Sequence, residues 1–523
     1  MERALHPLPD DMDAIRTLVL NQQSMLEKKE EENHQYRIEN DLLREQIRLL
    51  LAKRYGPSSE KSNEDQLGLF NEPEQEVLEA TIVDEPEIEV PAHVRKKPGR
   101  KPLPASLPRV RIEHDLADAD KRCPCGCDLT RIGEETSEQL DIIPAKVRVL
   151  QHVRFKYACR ACEETILTAP MPPQPIPKSM ASPGLLAHVA VAKYADALPL
   201  YRQERILQRI GVDIPRATLA NWMIRLGDIF RPLIECLESD LIASPYIHCD
   251  ETVVQVLKEP GRRAESQSYM WVRVNGGSNH PIVLFDYDSS RSGAVASRLL
   301  KGLKGYLQTD GYDGYAAIGQ VSGITHVGCM AHVRRKFDEA LKAQGAAVTR
   351  RVGKADMGMA FMRKLYRIET EIRGKPPDQR YRIRQEKSLP VIREMRRWLD
   401  QSLPRVPPKT LLGKALYYLD HQWARLIRYC DDGMLEIDNN LAENAIRPFV
   451  VGRKNWLFSD SQAGAHASAA IYSIIETAKA NGLEPYQYLR HLLEQLPGAK
   501  STDEVRALLP YRILQKNLTS IAK

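Results

Sequence analysis

Between Tyr246 and Gly328 the chain carries a strand pattern that few folds can accommodate. Tyr246-Ile-His-Cys-Asp-Glu-Thr-Val-Val-Gln-Val-Leu257 reads as a strand, and Tyr269-Met-Trp-Val-Arg-Val274 and Pro281-Ile-Val-Leu-Phe-Asp286 read as two more. A helix from Ser292 to Leu303 follows, then a fourth strand, Gly305-Tyr-Leu-Gln-Thr-Asp310, and a fifth, Ile324-Thr-His-Val-Gly328. Runs rich in β-branched and aromatic residues are strand signals, and a helix among them predicts an α/β layer. Asp250 lies within the first strand and Asp310 at the end of the fourth. If those strands are neighbours, both carboxylates project into one cleft.

Three strands, a helix and two more strands is the order of a ribonuclease-H-like α/β domain. A cleft holding carboxylates suits Mg²⁺, a hard cation that takes oxygen ligands and keeps several waters. Two such ions about 4 Å apart can activate an attacking oxygen and stabilise the leaving one. A third carboxylate, from a helix beside the sheet, is needed to hold the pair. Asp438-Asn-Asn-Leu-Ala-Glu-Asn-Ala-Ile-Arg-Pro448 offers Glu443, with Ile446 at helical spacing. A single Asp after a strand is usually a cap or a surface group. The combination of two strand acids and one helix acid, followed by Arg447, Arg453 and Lys454, points instead to a phosphodiester substrate. Far more residues separate Asp310 from Glu443 than the bare fold needs. Residues 341–430 read as a helical insertion, for instance Phe361-Met-Arg-Lys-Leu-Tyr-Arg-Ile-Glu-Thr-Glu-Ile372. Rich in Arg and Lys, it serves either as a clamp on nucleic acid or as a scaffold with a solvated face.

The chain has 523 residues, which implies several domains. Met12, Val19, Leu26, Asn33, Asn40 and Ile47 fill one core position of a heptad, and Ile15, Gln22, Lys29, Tyr36, Leu43 and Leu50 the other. Residues 1–55 therefore predict a coiled-coil helix whose register is set by polar groups, with a lone amphipathic helix as the alternative. Residues 56–94 read as an acidic, largely disordered linker: Glu64 to Val90 holds ten acidic residues and no Lys or Arg. The net charge of only +6 hides this polarity, because Arg95 to Lys101 then supplies five basic residues in seven. In the segment 95–104, Arg100 and Lys101 are flanked by prolines and could enter an A·T-rich minor groove or simply touch phosphates.

Residues 105–178 hold Cys123, Cys125, Cys127, Cys159 and Cys162 among β-rich stretches. Cys159-Arg-Ala-Cys162 is a regular knuckle; the upstream half is irregular, and which two of its three cysteines bind is open. Four thiolates would hold a structural Zn²⁺ and replace a core that so short a segment lacks. Over residues 182–239 the pattern turns helical. A helix ending at Gly211 and a second opening at Ala217, after Val212-Asp-Ile-Pro-Arg216, make a helix-turn-helix candidate, with the second helix available for a major groove and Arg216, Thr218 and Asn221 as candidate DNA contacts. The start of the chain does not read as a secretory signal, and no run of about eighteen apolar residues occurs. A cytoplasmic location is the expectation, associated with the nucleoid when bound to DNA.

At this point a resemblance becomes specific. Asp250-Glu-Thr252, Thr309-Asp-Gly-Tyr312, Cys329-Met-Ala-His-Val-Arg-Arg-Lys-Phe337, Asn439-Asn-Leu-Ala-Glu-Asn-Ala-Ile-Arg447, Gly452-Arg-Lys-Asn-Trp-Leu-Phe458 and Leu508-Leu-Pro510 are similar to words of the large transposase of the insertion sequence 66 family. The resemblance covers essentially the whole chain. It implies a metal-dependent transposase of the DDE type, with Asp250, Asp310 and Glu443 as its triad and Mg²⁺ or Mn²⁺ as cofactor. It also implies double-stranded DNA partners, the element's terminal inverted repeats and target DNA, bound by a homodimer or higher oligomer, with accessory proteins of the same element as further partners. The chain then divides into the segments above, a catalytic core at 244–340 and 431–480, and a C-terminal helical tail at 481–523. A plain nuclease that cuts without joining, or an inactive DNA-binding regulator, are the rival readings. Cys329 and His332, two ligands short of a metal site, are expected to be buried or near DNA.

Overall fold

The structure, a computed structural model, describes residues 11–55, 111, 124, 147–158, 166–344, 353–515 and 518. The predicted linker 56–94, the segment carrying Arg100 and Lys101, and Cys123, Cys125, Cys127, Cys159 and Cys162 lie outside the described residues. The chain forms two compact units, one of Glu72–Ala169 and one of Met1–Asn71 with Pro170–Lys523.

In the smaller unit, strands β1 (Lys156–Ala158) and β2 (Ile166–Thr168) pair antiparallel, with Tyr157 opposite Leu167. Arg154 Nε donates to the Ala169 carbonyl at 2.6 Å beyond the end of that ladder.

The larger unit is built on a six-stranded mixed sheet. Its strands are β3 (Tyr246–Lys258), β4 (Gln267–Asn275), β5 (Val283–Asp288), β6 (Gly305–Gln308), β7 (Ile324–Val327) and β8 (Ser459–Ser461). The order across the sheet is β5-β4-β3-β6-β7. β5, β4 and β3 pair antiparallel with one another, whereas β6 is parallel to β3 and β7 to β6. The five strands read from the sequence all occur, and the predicted neighbours β3 and β6 pair, Tyr246 with Tyr306 and His248 with Gln308. Asp310 lies two residues beyond the end of β6. The intervening helix is shorter than expected, Gly293–Leu299, and β8, which the sequence did not announce, pairs with the far end of β3 at Val256 and Lys258.

β5 would be a bare edge. The helix Gln462–Ala480 covers it: Ser473 Oγ accepts from Phe285 N at 2.7 Å and Thr477 Oγ1 from Val283 N at 3.0 Å. Side-chain hydroxyls thus satisfy backbone groups that would otherwise offer a template for another strand. Around these hydroxyls the core between helix and sheet is apolar, with Trp271, Phe285, Ile471, Ile474 and Ile475 buried.

The two predicted helices of the 182–239 segment are Leu200–Arg209 and Arg216–Ile229. Gly211, at φ +81°, makes the turn between them, a backbone conformation that a side chain would strain. The second helix buries Leu219, Trp222, Met223 and Leu226 and packs on Gln462–Ala480, leaving Arg216 and Asn221 exposed and Thr218 half-buried.

Between β7 and Glu443 the described residues are helical and share a second core around Met330, Phe337, Met362, Leu365, Trp398 and Leu416. At its centre is the buried Arg384, on a π-helical turn. Its guanidinium donates to Glu369 and to the carbonyls of Tyr429 (2.8 Å), Asp432 (3.0 Å) and Leu435 (2.8 Å), fixing the loop that leads to Asp438.

The leading helix, Met12–Tyr55, runs for 44 residues. Leu42, Glu45 and Leu49 turn toward the rest of the unit, and Glu45 accepts the Leu411 N–H at 3.2 Å. The apolar seam residues Val19, Leu26, Leu43, Ile47 and Leu50 face away from that contact and are exposed, Leu26 at 61%. Among the described residues no helix is long and apolar enough to cross a membrane.

Candidate active site

The acids named from the sequence come from three elements. Asp250 is on β3, Asp310 follows β6, and Glu443 lies in the first turn of the helix Asn440–Trp456. All three are half-buried. They lie close enough to act on one another: burial, then Glu251, Glu443 and Asp310, push the Asp250 carboxyl well above the usual range, and Asp310 also raises Glu443. The one bond that opposes this at Asp250 is the Glu251 N–H, 2.9 Å from Oδ1. Among the described residues no cation pairs with Asp250, and carboxylates drawn together in this way are an electrostatic cost that a divalent cation removes.

The surrounding groups hold the acids in position. Glu251 has a fully buried side chain that accepts from Arg291 Nε at 2.6 Å and from the Tyr315 hydroxyl at 2.5 Å. The Arg291 guanidinium lies 3.8 Å over the Tyr312 ring, and the Tyr312 N–H bonds Asp310 Oδ1 at 3.0 Å. One arginine therefore braces both acid-bearing strand ends. Gly311 has no room for a side chain, because a Cβ there would meet the Tyr418 hydroxyl at 2.5 Å. On the other side Asn439, fully buried, donates to the Cys249 carbonyl at 2.9 Å.

Glu443 faces a third group of side chains. Its Oε2 is 3.7 Å from Arg335 Nη2, and its Oε1 is 3.8 Å from His332 Nδ1 and 3.9 Å from Cys329 Sγ. Cys329 is buried, as expected, and His332 is half-buried.

The basic candidates are distributed along the Glu443 helix. Arg453 Nη1 donates to Thr252 Oγ1 at 3.2 Å, beside the Asp250 strand, and burial lowers its pKa. Lys454 is exposed and Arg447 half-buried. Sequence reasoning missed Glu251, Arg291, Tyr312, Tyr315 and Asn439. The acidic neighbour of Asp250 and the Asp438-Asn-Asn440 word were the available signals; nothing local pointed to Arg291.

Comparison with known proteins defines the class first. Residues 178–467 match the model described as Transposase IS66 family, residues 473–511 the IS66 C-terminal element, residues 120–163 the zinc-finger binding domain of transposase IS66, and residues 42–112 Transposase C of IS166 homeodomain. These are the parts of a transposase, a DNA-modifying enzyme. The chain belongs to the IS66 family of transposases. It is 34% identical to the uncharacterized protein y4jD of Sinorhizobium fredii (strain NBRC 101917 / NGR234), covering 78% of this chain and 81% of that protein. It is 31% identical to the uncharacterized protein y4qI of the same strain, over 96% and 97% of the two chains. No solved structure matches the chain.

Proposed function

We propose that this transposase cleaves the ends of its element and transfers the freed strands to target DNA, using Asp250, Asp310 and Glu443 as metal-binding catalytic acids. The observation that carries the reading is the proximity of Asp310 and Glu443, from distant segments, to Asp250, which has no cationic partner among the described residues. The order β5-β4-β3-β6-β7, with its antiparallel half and its parallel half, supports a ribonuclease-H-like core at 244–340 and 431–480, interrupted by the helical insertion at 341–430. The donor set is all oxygen and acidic, which suits Mg²⁺ or Mn²⁺, and such ions would activate water and then a 3′-hydroxyl for attack on phosphorus. The protein's own contribution is positioning. Arg291, through Glu251 and Tyr312, and Asn439, through Cys249, keep the acids facing one another. Arg447, Arg453 and Lys454 supply positive charge along the path of the phosphodiester.

End recognition falls to the amino-terminal modules in this reading. Arg216, Thr218 and Asn221 open the second helix of the helix-turn-helix, and their position at its N-terminus suits base edges in a major groove. Arg100 and Lys101 would follow the adjacent minor groove. The zinc module at 105–178 would be folded by Zn²⁺ on Cys159, Cys162 and two of Cys123, Cys125 and Cys127. The heptad helix 1–55 would pair protomers, one for each element end, in the cytoplasm where chromosomal DNA is available.

The test is Mg²⁺-dependent cleavage of a duplex carrying an element end. Asp250→Asn abolishes cleavage and leaves binding intact; cleavage that survives the change removes the assignment. Pre-cut ends separate transposition from hydrolysis, because a plain nuclease fails to join them.

A further inference from the structure

Cys329, His332 and Glu443 offer a sulfur, a ring nitrogen and a carboxylate oxygen that all lie within 4.8 Å of one another. The set is built by the fold. Cys329 caps the helix Met330–Gln344 and its Sγ accepts the backbone N–H groups of Asn439 (3.2 Å) and His332. Capping accounts for the cysteine but not for the histidine. His332 Nδ1 is buried, has no hydrogen-bond partner among the described residues, and faces Glu443 Oε1 at 3.8 Å. A buried ring nitrogen without a partner is unfavourable, so it marks a place where something belongs.

We propose that Cys329, His332 and Glu443 form a second metal site, selective for a thiophilic divalent ion of the zinc class, whose occupation withdraws Glu443 from the acidic triad. The inference rests on the transposase reading only for its regulatory half. Geometry supports the ion class. Bonds of about 2.3 Å to sulfur and about 2.0–2.1 Å to nitrogen and oxygen, at a tetrahedral angle, put such ligand atoms about 3.3–3.5 Å apart. The observed 3.8 and 3.9 Å from Glu443 Oε1 have to close by a few tenths of an ångström, and the sulfur and ring nitrogen, within 4.8 Å of each other, must also draw together. Mg²⁺ disfavours sulfur and nitrogen donors, whereas zinc combines them readily. Three protein ligands leave a fourth position open to water or to a phosphate oxygen. Binding displaces the thiol proton of Cys329 to solvent and uses Glu443 Oε1, while Arg335 faces Oε2. One carboxylate cannot then serve the hard-ion site in its former geometry, and zinc becomes an inhibitor that competes with magnesium.

The experiment uses full-length protein whose cysteine module is already loaded with zinc, titrated with Co²⁺. The wild type takes up a further equivalent with a thiolate-to-cobalt charge-transfer band. Cys329→Ser abolishes that band, and His332→Gln weakens the uptake at least tenfold. Identical titrations of wild type and both variants overturn the site. Should Cys329→Ser fail to fold, His332→Gln, at a half-buried position, decides alone. In parallel, Zn²⁺ is added to the cleavage reaction at fixed Mg²⁺; the concentration for half-inhibition rises at least tenfold in Cys329→Ser. An unchanged value with intact cobalt binding overturns the withdrawal of Glu443. Absence of cleavage by the wild type counts against the transposase reading and leaves the cobalt result standing.

Discussion

Asn439 Nδ2 donates to the carbonyl oxygen of Cys249 at 2.9 Å, joining the start of the Glu443 helix to the strand that carries Asp250. Its Oδ1 meets His248 Nδ1 at 3.0 Å, so one buried amide addresses two residues of β3. Asn439→Ala leaves both groups unpaired in the interior. The expected cost is about 2–4 kcal/mol of unfolding free energy by urea denaturation. The Mg²⁺ concentration needed for half-maximal cleavage should also rise, since Glu443 loses its register. An unchanged Mg²⁺ requirement would show that the bond is structural only.

Asp250→Asn should have opposite effects on activity and stability. Burial and three neighbouring carboxylates disfavour the charged form of Asp250. Removing that charge in the presence of a chelator should stabilise the protein by about 1 kcal/mol, the usual size of a gain at a strained functional position. Added Mg²⁺ should then raise the melting temperature of the wild type and not of the variant. A less stable, metal-responsive variant would contradict the site.

Arg291 neutralises a fully buried Glu251 while itself 37% exposed. Arg291→Ala strands that carboxylate, at a cost of about 2–3 kcal/mol, less than for a pair buried on both sides. Arg291→Lys keeps the charge but not the planar face over Tyr312, and should restore stability more than cleavage. Equal recovery of both would mean that the contact with Tyr312 has no role in holding Asp310.

His326 supplies the pH dependence. Its ring is buried and shares a 2.8 Å hydrogen bond with Thr309 Oγ1, and burial, then Arg425 and Arg428, hold its pKa down to about 3. The unfolded chain titrates near 6.5, so it takes up the proton first as pH falls. The stability contributed by neutral His326 is complete above about 6.5 and drains away between about 6.5 and 3. Between pH ~6.5 and ~5 the wild type should lose about 1.4 kcal/mol per pH unit more than His326→Gln. Asp250, Glu251 and Glu443, raised in the fold, act in the opposite sense but are common to both proteins and cancel in the difference. Parallel urea curves at each pH would refute it.

The exposed seam of the leading helix predicts self-association. Leu26 and Leu43 belong to the apolar stripe and are not used by the rest of the unit. Leu26→Asp removes about 1.5–3 kcal/mol of burial per chain, enough to weaken a dimer at least tenfold. Sedimentation velocity should show the wild type as a dimer and the variant shifted to monomer. A wild type that sediments as a monomer would reduce the stripe to an amphipathic surface.

The sequence by itself determined the local elements and the acids they carry. Alternating β-branched and aromatic residues marked β3 to β7, the heptads marked Met12–Tyr55, and the words around Asp250, Asp310 and Glu443 stood out. These signals are legible because strand and helix periodicity reside in neighbouring residues. Only the tertiary structure decided that Arg291 would reach Glu251, that Asn439 would bond Cys249, that β8 would join β3, and that Cys329 and His332 would meet Glu443. Each joins segments from tens to just over two hundred residues apart, and no local pattern records which distant side chain will satisfy a buried polar group. That choice is made when the sheet and the helices between β7 and Glu443 pack together and most buried donors and acceptors there find a partner.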